Sequence, residues 1–207
     1  MSDDRIADVA ELREFVGAPI QRTLEKELDH LDHHCIDFLA RSPFGTLATS
    51  GADGRCDSSP RGGPPGFVHV IDAKRLAMPD YMGNRRQDSH VNVMENPHVG
   101  LMFLIPGLGE TLRINGRASL SRDAELLARL ATKGDTPHLA LVVDVDEVYM
   151  HCAKAFIRSE LWDPSTWPEK DELPSVTQIY RDHRNTPGLT PEQVAVELEE
   201  SYRTRLW

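Results

Sequence analysis

Apolar residues in the first part of the chain are spaced as in a helix, and this spacing ends near Pro43. In LEKELDHLDHHCIDFLARSP they recur every three or four positions, at Leu24, Leu28, Leu31, Cys35, Phe38 and Leu39. This period is typical of a helix with one buried face. It predicts helical structure over residues 8–41, with a break near residues 17–19. Pro43 ends the helix because proline cannot continue the hydrogen-bond ladder.

From residue 44 the pattern changes to that of strands. FGTLATS (44–50) predicts a strand, and GADG (51–54) carries the Asp-Gly signal of a hairpin turn. Further strands are predicted at RCDSSPRGG (55–63), GFVHVID (66–72), KRLAMPD (74–80), VGLMFLIP (99–106), TLRINGRASLS (111–121) and HLALVVDVDEVYMHC (138–152). Several strands with few short helices favour an antiparallel barrel or sandwich with helical additions.

Short helices are predicted between and after these strands, at QDSHVNVMEN (87–96), RDAELLARLAT (122–132) and AKAFIRSELW (153–162). The remaining segment is rich in proline and charge and contains one predicted helix, PEQVAVELEESYRTRL. It cannot form a core of its own, so we expect it to pack on this subunit or on a partner. We therefore divide the chain into an N-terminal helical extension (1–41), a barrel domain (42–162) and a C-terminal tail (163–207).

Composition narrows the class of protein. The 207 residues include 23 Lys and Arg against 33 Asp and Glu, and the net charge of −10 argues against a general nucleic-acid binder. The three cysteines, Cys35, Cys56 and Cys152, form no CxxC pair, so neither a disulfide framework nor a zinc site is predicted. The charged N-terminus lacks a signal-peptide pattern, and no apolar run reaches membrane-spanning length. We expect a cytoplasmic protein without membrane or nucleic-acid partners.

The stretch MPDYMGNRRQDS joins a predicted strand to the start of a predicted helix. Such a junction offers free backbone N–H groups and the positive end of the helix dipole. Arg85 and Arg86 add forked donors that suit phosphate, and Ser89 adds a hydroxyl one turn later. Spacing alone is equally compatible with a phosphate site and with a surface arginine pair that has acidic partners.

A second unusual stretch is CDSSPRGGPPGF, residues 56–67. Its glycine and proline content is typical of an edge or bulged strand with exposed backbone. Such a surface can hold a flat ligand, with Arg61 facing an electron-rich ring system. A plain loop with an exposed arginine is the alternative.

Together, these stretches resemble the flavin-binding split barrels related to pyridoxamine 5′-phosphate oxidase. The resemblance covers roughly residues 30–162 and keeps the order of the elements. Its most specific parts are the Ser-Pro-Arg-Gly strand, the Gly-Asn-Arg-Arg turn and the strand LRINGRA, and it is greatest for the branch of predicted flavin-nucleotide-binding proteins. The family fold is mainly β with α additions. The resemblance implies a six-stranded antiparallel split β-barrel with N- and C-terminal helices, and a homodimer that binds FMN at its interface.

The resemblance also implies which residues bind the cofactor. The strand beside the isoalloxazine ring is matched by Ser58, Ser59, Pro60, Arg61 and Gly62. The next strand, which flanks the ring and the ribityl chain, is matched by Met78, Pro79 and Asp80. The phosphate clamp is matched by Asn84, Arg85, Arg86 and Ser89.

Members of this family often complete the pocket with an aromatic or polar group from the partner subunit. In RSELWDP, Arg158 and Trp162 are the candidates for that role. A core anchor at a helix end is the alternative for Trp162, since tryptophan is often buried.

The resemblance predicts an FMN-dependent oxidoreductase acting on a small molecule. The tail ends in SYRTRLW and shows no match to the substrate clamp of true pyridoxamine phosphate oxidases, so FMN is better supported than pyridoxamine. No catalytic acid or base stands out. A flavin carrier or sensor without turnover, and a split barrel that binds another ligand such as haem, are the alternatives.

His30 and His34 are four positions apart and would share one face of a helix. Two imidazoles at this spacing can bind zinc or copper. The glutamate of HExxH is missing and no third ligand is evident, so we expect an exposed polar face and no metal site.

Overall fold

Seven strands form one antiparallel sheet in the computed structural model, which describes residues 4–81, 83 and 85–206. The strands are β1 (Phe44–Ser50), β2 (Cys56–Gly62), β3 (His69–Asp72), β4 (Arg75–Asp80), β5 (His98–Leu104), β6 (Thr111–Ser121) and β7 (Leu139–His151). Their order across the sheet is β2-β1-β5-β6-β7-β4-β3. The mainly β class with antiparallel pairing is thus confirmed.

Along the sequence, helices precede the strands, connect some of them and follow the last one. In the described residues they are α1 (Val9–Val16), α2 (Gln21–Leu24), α3 (His33–Arg41), α4 (Asp88–Glu95), α5 (Ala124–Arg129), α6 (Lys154–Ser159), α7 (Val176–Arg184) and α8 (Pro191–Thr204), with a 3-10 turn at Pro164–Thr166.

The sheet curls so that its two ends approach each other. Arg61 on β2 contacts Asp80 on β4, although these strands lie near opposite ends of the strand order. Within the described residues no backbone pairing joins β2 to β4 or β3, so the sheet is not closed by hydrogen bonds. The six-strand count is not confirmed. His69 and Val70 pair with Ala77 and Leu76, which makes β3 a separate seventh strand.

The prediction of helix across residues 25–32 is wrong. The backbone of Leu28 exchanges two hydrogen bonds with Val148 on β7, with N–O distances of 2.9 and 2.8 Å. A new helix then starts at His33, where the Asp32 side chain accepts a hydrogen bond from the backbone N–H of Cys35. The break predicted near residues 17–19 is confirmed, since α1 ends at Val16 and is followed by Gly17 with a φ of 85°.

The core lies between α3 and the curled sheet. Phe38 and Leu39 of α3 pack in one cluster with Leu47 of β1 and Phe103 of β5. β5 lies between β1 and β6, as its apolar character on both faces predicts. α4 packs against β1 and β2, which brings its first turn to the open edge of the sheet.

The tail contains α7 in addition to the predicted α8, and the two helices pack against each other. Thr190 and Gln193 form a capping box at the start of α8, and Arg184 on α7 forms an ion pair with Glu197 on α8. No helix in the described part of the chain is both long and apolar enough to cross a membrane.

Candidate functional site

A cavity of about 700 Å³ opens where β2, the end of β4, the first turn of α4 and the start of β7 converge. The curl of the sheet creates it, since it brings the edge strand β2 close to the end of β4. The predicted cofactor-binding residues that line it are Ser58, Ser59, Pro60, Arg61, Gly62, Pro79, Asp80, Arg85, Arg86 and Ser89. Two stretches that are separate in sequence therefore meet in one pocket.

Three ionisable side chains form a cluster on one wall. Arg61 Nη1 donates to Asp80 Oδ1 at 3.1 Å, and His90 Nε2 lies 3.4 Å from the same oxygen. Burial alone would raise the pKa of Asp80, but the contacts with His90 and Arg61 outweigh it and leave this pKa below its ordinary value. Asp80 is therefore a carboxylate at neutral pH. The buried Nε–H of Arg61 donates to no acceptor among the described residues.

The turn before α4 has an unusual backbone. Arg85 and Gln87 have positive φ angles of 62° and 54°, a region that side-chain-bearing residues rarely adopt. Gln87 precedes the first residue of α4 and provides no side-chain cap. Strain of this kind concentrates at ligand-binding sites. Arg86 Nε donates to Asp88 Oδ2 at 2.8 Å, so one arginine of the pair has an acidic partner on the helix.

A chain of hydrogen bonds runs behind the wall formed by β2. Asn92 donates to Thr49 Oγ1 at 3.0 Å, and Thr49 donates to Asp57 Oδ1. Ser89 donates to Asp57 Oδ2 at 3.4 Å, and the Ser59 and Ser89 hydroxyls are 3.2 Å apart. Because the single proton of Ser89 goes to Asp57, Ser59 is the donor in the serine pair. These hydrogen bonds connect α4 to β1 and β2.

Some predicted residues lie away from this cavity. Met78 is 2% exposed and belongs to the core, because three successive residues of β4 are buried. Arg158 is exposed on α6. Trp162 stacks on Phe156 with ring centroids 5.7 Å apart and donates to the carbonyl of Leu108.

The assignment of Arg158 and Trp162 to a partner's pocket stays a prediction. The alternative for Trp162, a packing anchor after a helix, describes its contacts within this chain. Asn84 lies outside the described residues.

Sequence reasoning missed Asp57, Tyr81, His90 and His138, which also line the cavity. The signal for His90 is positional. It precedes the buried Val93 by three residues on α4, so a polar side chain occupies the inward face of the helix. Asp57 and His138 carried no such signal, since they reach the cavity only through the pairing of their strands.

The histidine pair does not form as expected. His30 lies before α3 and its Nδ1 is 2.8 Å from Asp29 Oδ1, so His30 and His34 share no helix face. Asp32, His33 and His34 have ligand atoms within 4.8 Å of one another. The Asp32 carboxylate already caps α3, and both histidines are exposed.

Several solved structures are similar to this chain. A putative pyridoxamine 5′-phosphate oxidase from Lactobacillus delbrueckii is 19% identical, with 60% of this chain and 98% of that chain covered and a TM-score of 0.45. HupZ from Group A Streptococcus is 13% identical, with coverage of 57% and 92% and a TM-score of 0.47. HutZ from Vibrio cholerae, described as a haem storage protein, is 19% identical, with coverage of 57% and 93% and a TM-score of 0.42.

None of the curated proteins matches the chain in sequence. The family model described as pyridoxamine 5′-phosphate oxidase matches residues 31–152, from the last residues before α3 to the end of β7. This match spans more than half of the chain and includes most of the pocket-lining elements. The chain therefore belongs to the pyridoxamine 5′-phosphate oxidase family.

Proposed function

We propose that the pocket binds FMN and that the protein is an FMN-dependent oxidoreductase acting on a small molecule. One observation carries this proposal. Arg85, Arg86 and Ser89 at the start of α4 line the same cavity as residues 58–62 of β2. A helix start with two arginines suits a phosphate group, and an edge strand rich in Gly and Pro suits a flat ring. The volume of about 700 Å³ is in the range of cofactor sites.

The donors of the pocket fit the two ends of FMN. At the ring end, the buried Nε–H of Arg61 lacks an acceptor among the described residues, and a ring carbonyl oxygen is a suitable one. When bound, FMN supplies the hydride or electron transfer chemistry. Arg61 contributes positive charge beside the ring, which favours the acceptance of electrons.

At the phosphate end, the clamp has to compete with groups of the protein itself. Arg86 is paired with Asp88, and Ser89 donates to Asp57. A phosphate that accepts from either side chain replaces an existing interaction, so the net gain per contact is less than that of an unengaged donor.

We further propose that a second copy of the chain completes the pocket with Arg158 and Trp162. Beside these residues, Ile157 and Leu161 are 69% and 46% exposed. Exposed large apolar side chains grouped in this way are typical of an interface. A dimer would cover this surface.

Haem is a second candidate because an exposed histidine, His138, lies at the rim of the cavity. A neutral imidazole can bind haem iron. The arginine pair at the helix start favours FMN, since haem has no phosphate group. A flavin carrier without turnover would use the same pocket, and only a reaction assay separates it from an enzyme.

The purified full-length protein tests this proposal directly. We expect flavin absorbance bands as isolated or after addition of FMN, release of FMN on denaturation, and reoxidation by oxygen or another acceptor after anaerobic photoreduction. Light scattering should give the mass of a dimer. A protein that is isolated without flavin, binds added haem and does not bind FMN would contradict the assignment. A bound flavin that is never reoxidised would favour a carrier over an enzyme. A monomer would remove the role of Arg158 and Trp162.

A further inference from the structure

His90 is a buried ionisable residue on the wall of the cavity with no hydrogen-bond partner in the described residues. It is 6% exposed, and neither ring nitrogen makes a hydrogen bond of good geometry. Its Nε2 is 3.4 Å from Asp80 Oδ1, the oxygen that also accepts from Arg61 Nη1 at 3.1 Å. Buried polar atoms are rarely left unpaired. Two groups that can carry positive charge thus converge on one carboxylate oxygen.

The charged groups of the cavity balance one another. The arginines that line it are Arg61, Arg85 and Arg86, and the carboxylates that line it are Asp57, Asp80 and Asp88. With neutral histidines, three positive charges meet three negative ones. A phosphate monoester brings up to two negative charges near neutral pH. Its binding therefore makes the cavity net negative, and a proton taken up by the protein reduces this negative charge by one.

We propose that His90 takes up a proton when the pocket binds a phosphorylated ligand, and that protonated His90 then replaces Arg61 as the ion-pair partner of Asp80. The charge of the Arg61 guanidinium then becomes available to the ligand. This inference rests on the proposed binding of FMN, and it adds that His90 is a positioning residue which couples that binding to pH.

The surroundings of His90 favour it over the other histidine of the cavity. His138 is exposed, so solvent screens its charge, whereas His90 lies beside Asp80 in a buried site. α4 packs on β1, β2 and β6, and its His90 also contacts Asp80 at the end of β4. The nearest titratable groups of the cavity are Asp57 and Arg61 on β2, Asp80 and Tyr81 at the end of β4, and Arg85, Arg86 and Asp88 around the start of α4. β1 contributes no charged residue, and Arg113 and Arg117 of β6 are exposed.

The direction of the effect follows from these charges. Histidine becomes positive as the pH falls between about 8 and about 5. Protonated His90 favours an anion, so the affinity for FMN should rise as the pH falls. The phosphate of FMN itself gains a proton near pH ~6, which lowers its negative charge and opposes the rise in affinity. The phosphate titration is the same for every variant, so a comparison between variants isolates the histidine.

The test is a fluorescence titration of the full-length protein with FMN between about pH 8 and about pH 6.5. For the wild type we expect an affinity about tenfold higher at the lower pH, a coupling of ordinary size for linked sites. For His90→Gln we expect a change of less than about twofold. The matched control, His138→Gln, should keep most of the pH dependence. If His90→Gln retains the full pH dependence, the inference is wrong.

A second measurement uses the wild type alone, in case His90→Gln does not fold. Calorimetric titration in two buffers with different ionisation enthalpies reports the number of protons taken up on binding. We expect net uptake with FMN near neutral pH and none with riboflavin, which lacks the phosphate. FMN binding without proton uptake would overturn this inference and leave the FMN assignment intact. If the wild type binds no FMN at any pH, the proposed function fails and the inference fails with it.

Discussion

Asp57 shows how a single carboxylate constrains the pocket. It accepts from Thr49 and Ser89 and so fixes α4 against the edge strand β2. It also places negative charge close to the expected phosphate position. Ser89 can donate to a phosphate only if it gives up Asp57, so this serine is better suited to orient the helix than to bind the ligand.

The reactivity of the cysteines provides a residue-scale prediction. Burial in α3 raises the pKa of the Cys35 thiol to about 11, so at neutral pH the thiol keeps its proton. Cys56 and Cys152 are exposed. Because the thiolate is the nucleophile, an alkylating reagent should label these two residues in the folded protein and Cys35 only after unfolding. Mass spectrometry of digested protein reads this out. Labelling of all three at similar rates in the folded state would contradict the burial of Cys35.

The resemblance to the family correctly predicted several residues of the pocket. Arg61 and Asp80 follow from the resemblance, and both line the cavity. Their mutual contact was not predictable, because it joins strands that are not neighbours in the sheet. The contact of His90 with Asp80 was missed for the same reason, since Asp80 lies on β4.

Among the elements, the pairing of β6 with β7 is the longest and contains an irregularity. The register shifts between Asn115 and Gly116, and the backbone carbonyl of Asp144 passes close to Gly116 at that point. A Cβ on Gly116 would lie 2.1 Å from that oxygen, far inside contact distance. Only glycine fits because both backbones are held in the ladder.

Gly116→Ala should therefore destabilise the fold. We expect a loss of about 3 kcal/mol in the free energy of unfolding, the size of an overpacking defect that the backbone cannot relieve. Chemical denaturation followed by circular dichroism measures it. Gly83→Ala is the matched control, because a Cβ there meets nothing within 4 Å. Equal stability of Gly116→Ala and the wild type would show that the backbone at this irregularity can move to make room for the added Cβ.

Element types were easier to predict than element limits. TLRINGRASLS was predicted as a strand over residues 111–121 and forms β6 with those limits, since its β-forming sequence and its pairing agree. The bulge inside it depends on the partner strand and was not visible. The helical spacing through Leu28 was misleading because the backbone of Leu28 finds hydrogen-bond partners on β7.

For the whole molecule, the curl of the sheet is the feature that creates the site. It places an arginine of one end strand against a carboxylate near the other end, and the cavity opens beside this contact. The family, the class of fold and the two motifs were predictable from sequence. The order of the strands and the contact across the open edge were not, because they depend on long-range pairing.

The regions outside the family match present exposed apolar side chains. On α1, Val9, Phe15 and Val16 are 70%, 82% and 60% exposed, and no residue of α1 is buried. α8 buries Val194, and its described partner element is α7. Residues 4–30 and the tail thus add surface to the molecule more than they add to the core beneath the sheet.

The most direct test of the FMN assignment compares the dissociation constants of FMN and riboflavin. For Arg85→Ala we expect weaker FMN binding by up to about 1.5–3 kcal/mol, the contribution of a charge-assisted contact, and little change for riboflavin. For Arg86→Ala we expect a smaller loss for FMN, because the phosphate has to replace the pairing of Arg86 with Asp88. Arg41→Ala is the matched control, since Arg41 is an exposed arginine paired with Asp37 on α3. Equal losses for FMN and riboflavin in the two clamp variants would contradict the account, because they would show that these arginines do not bind the phosphate.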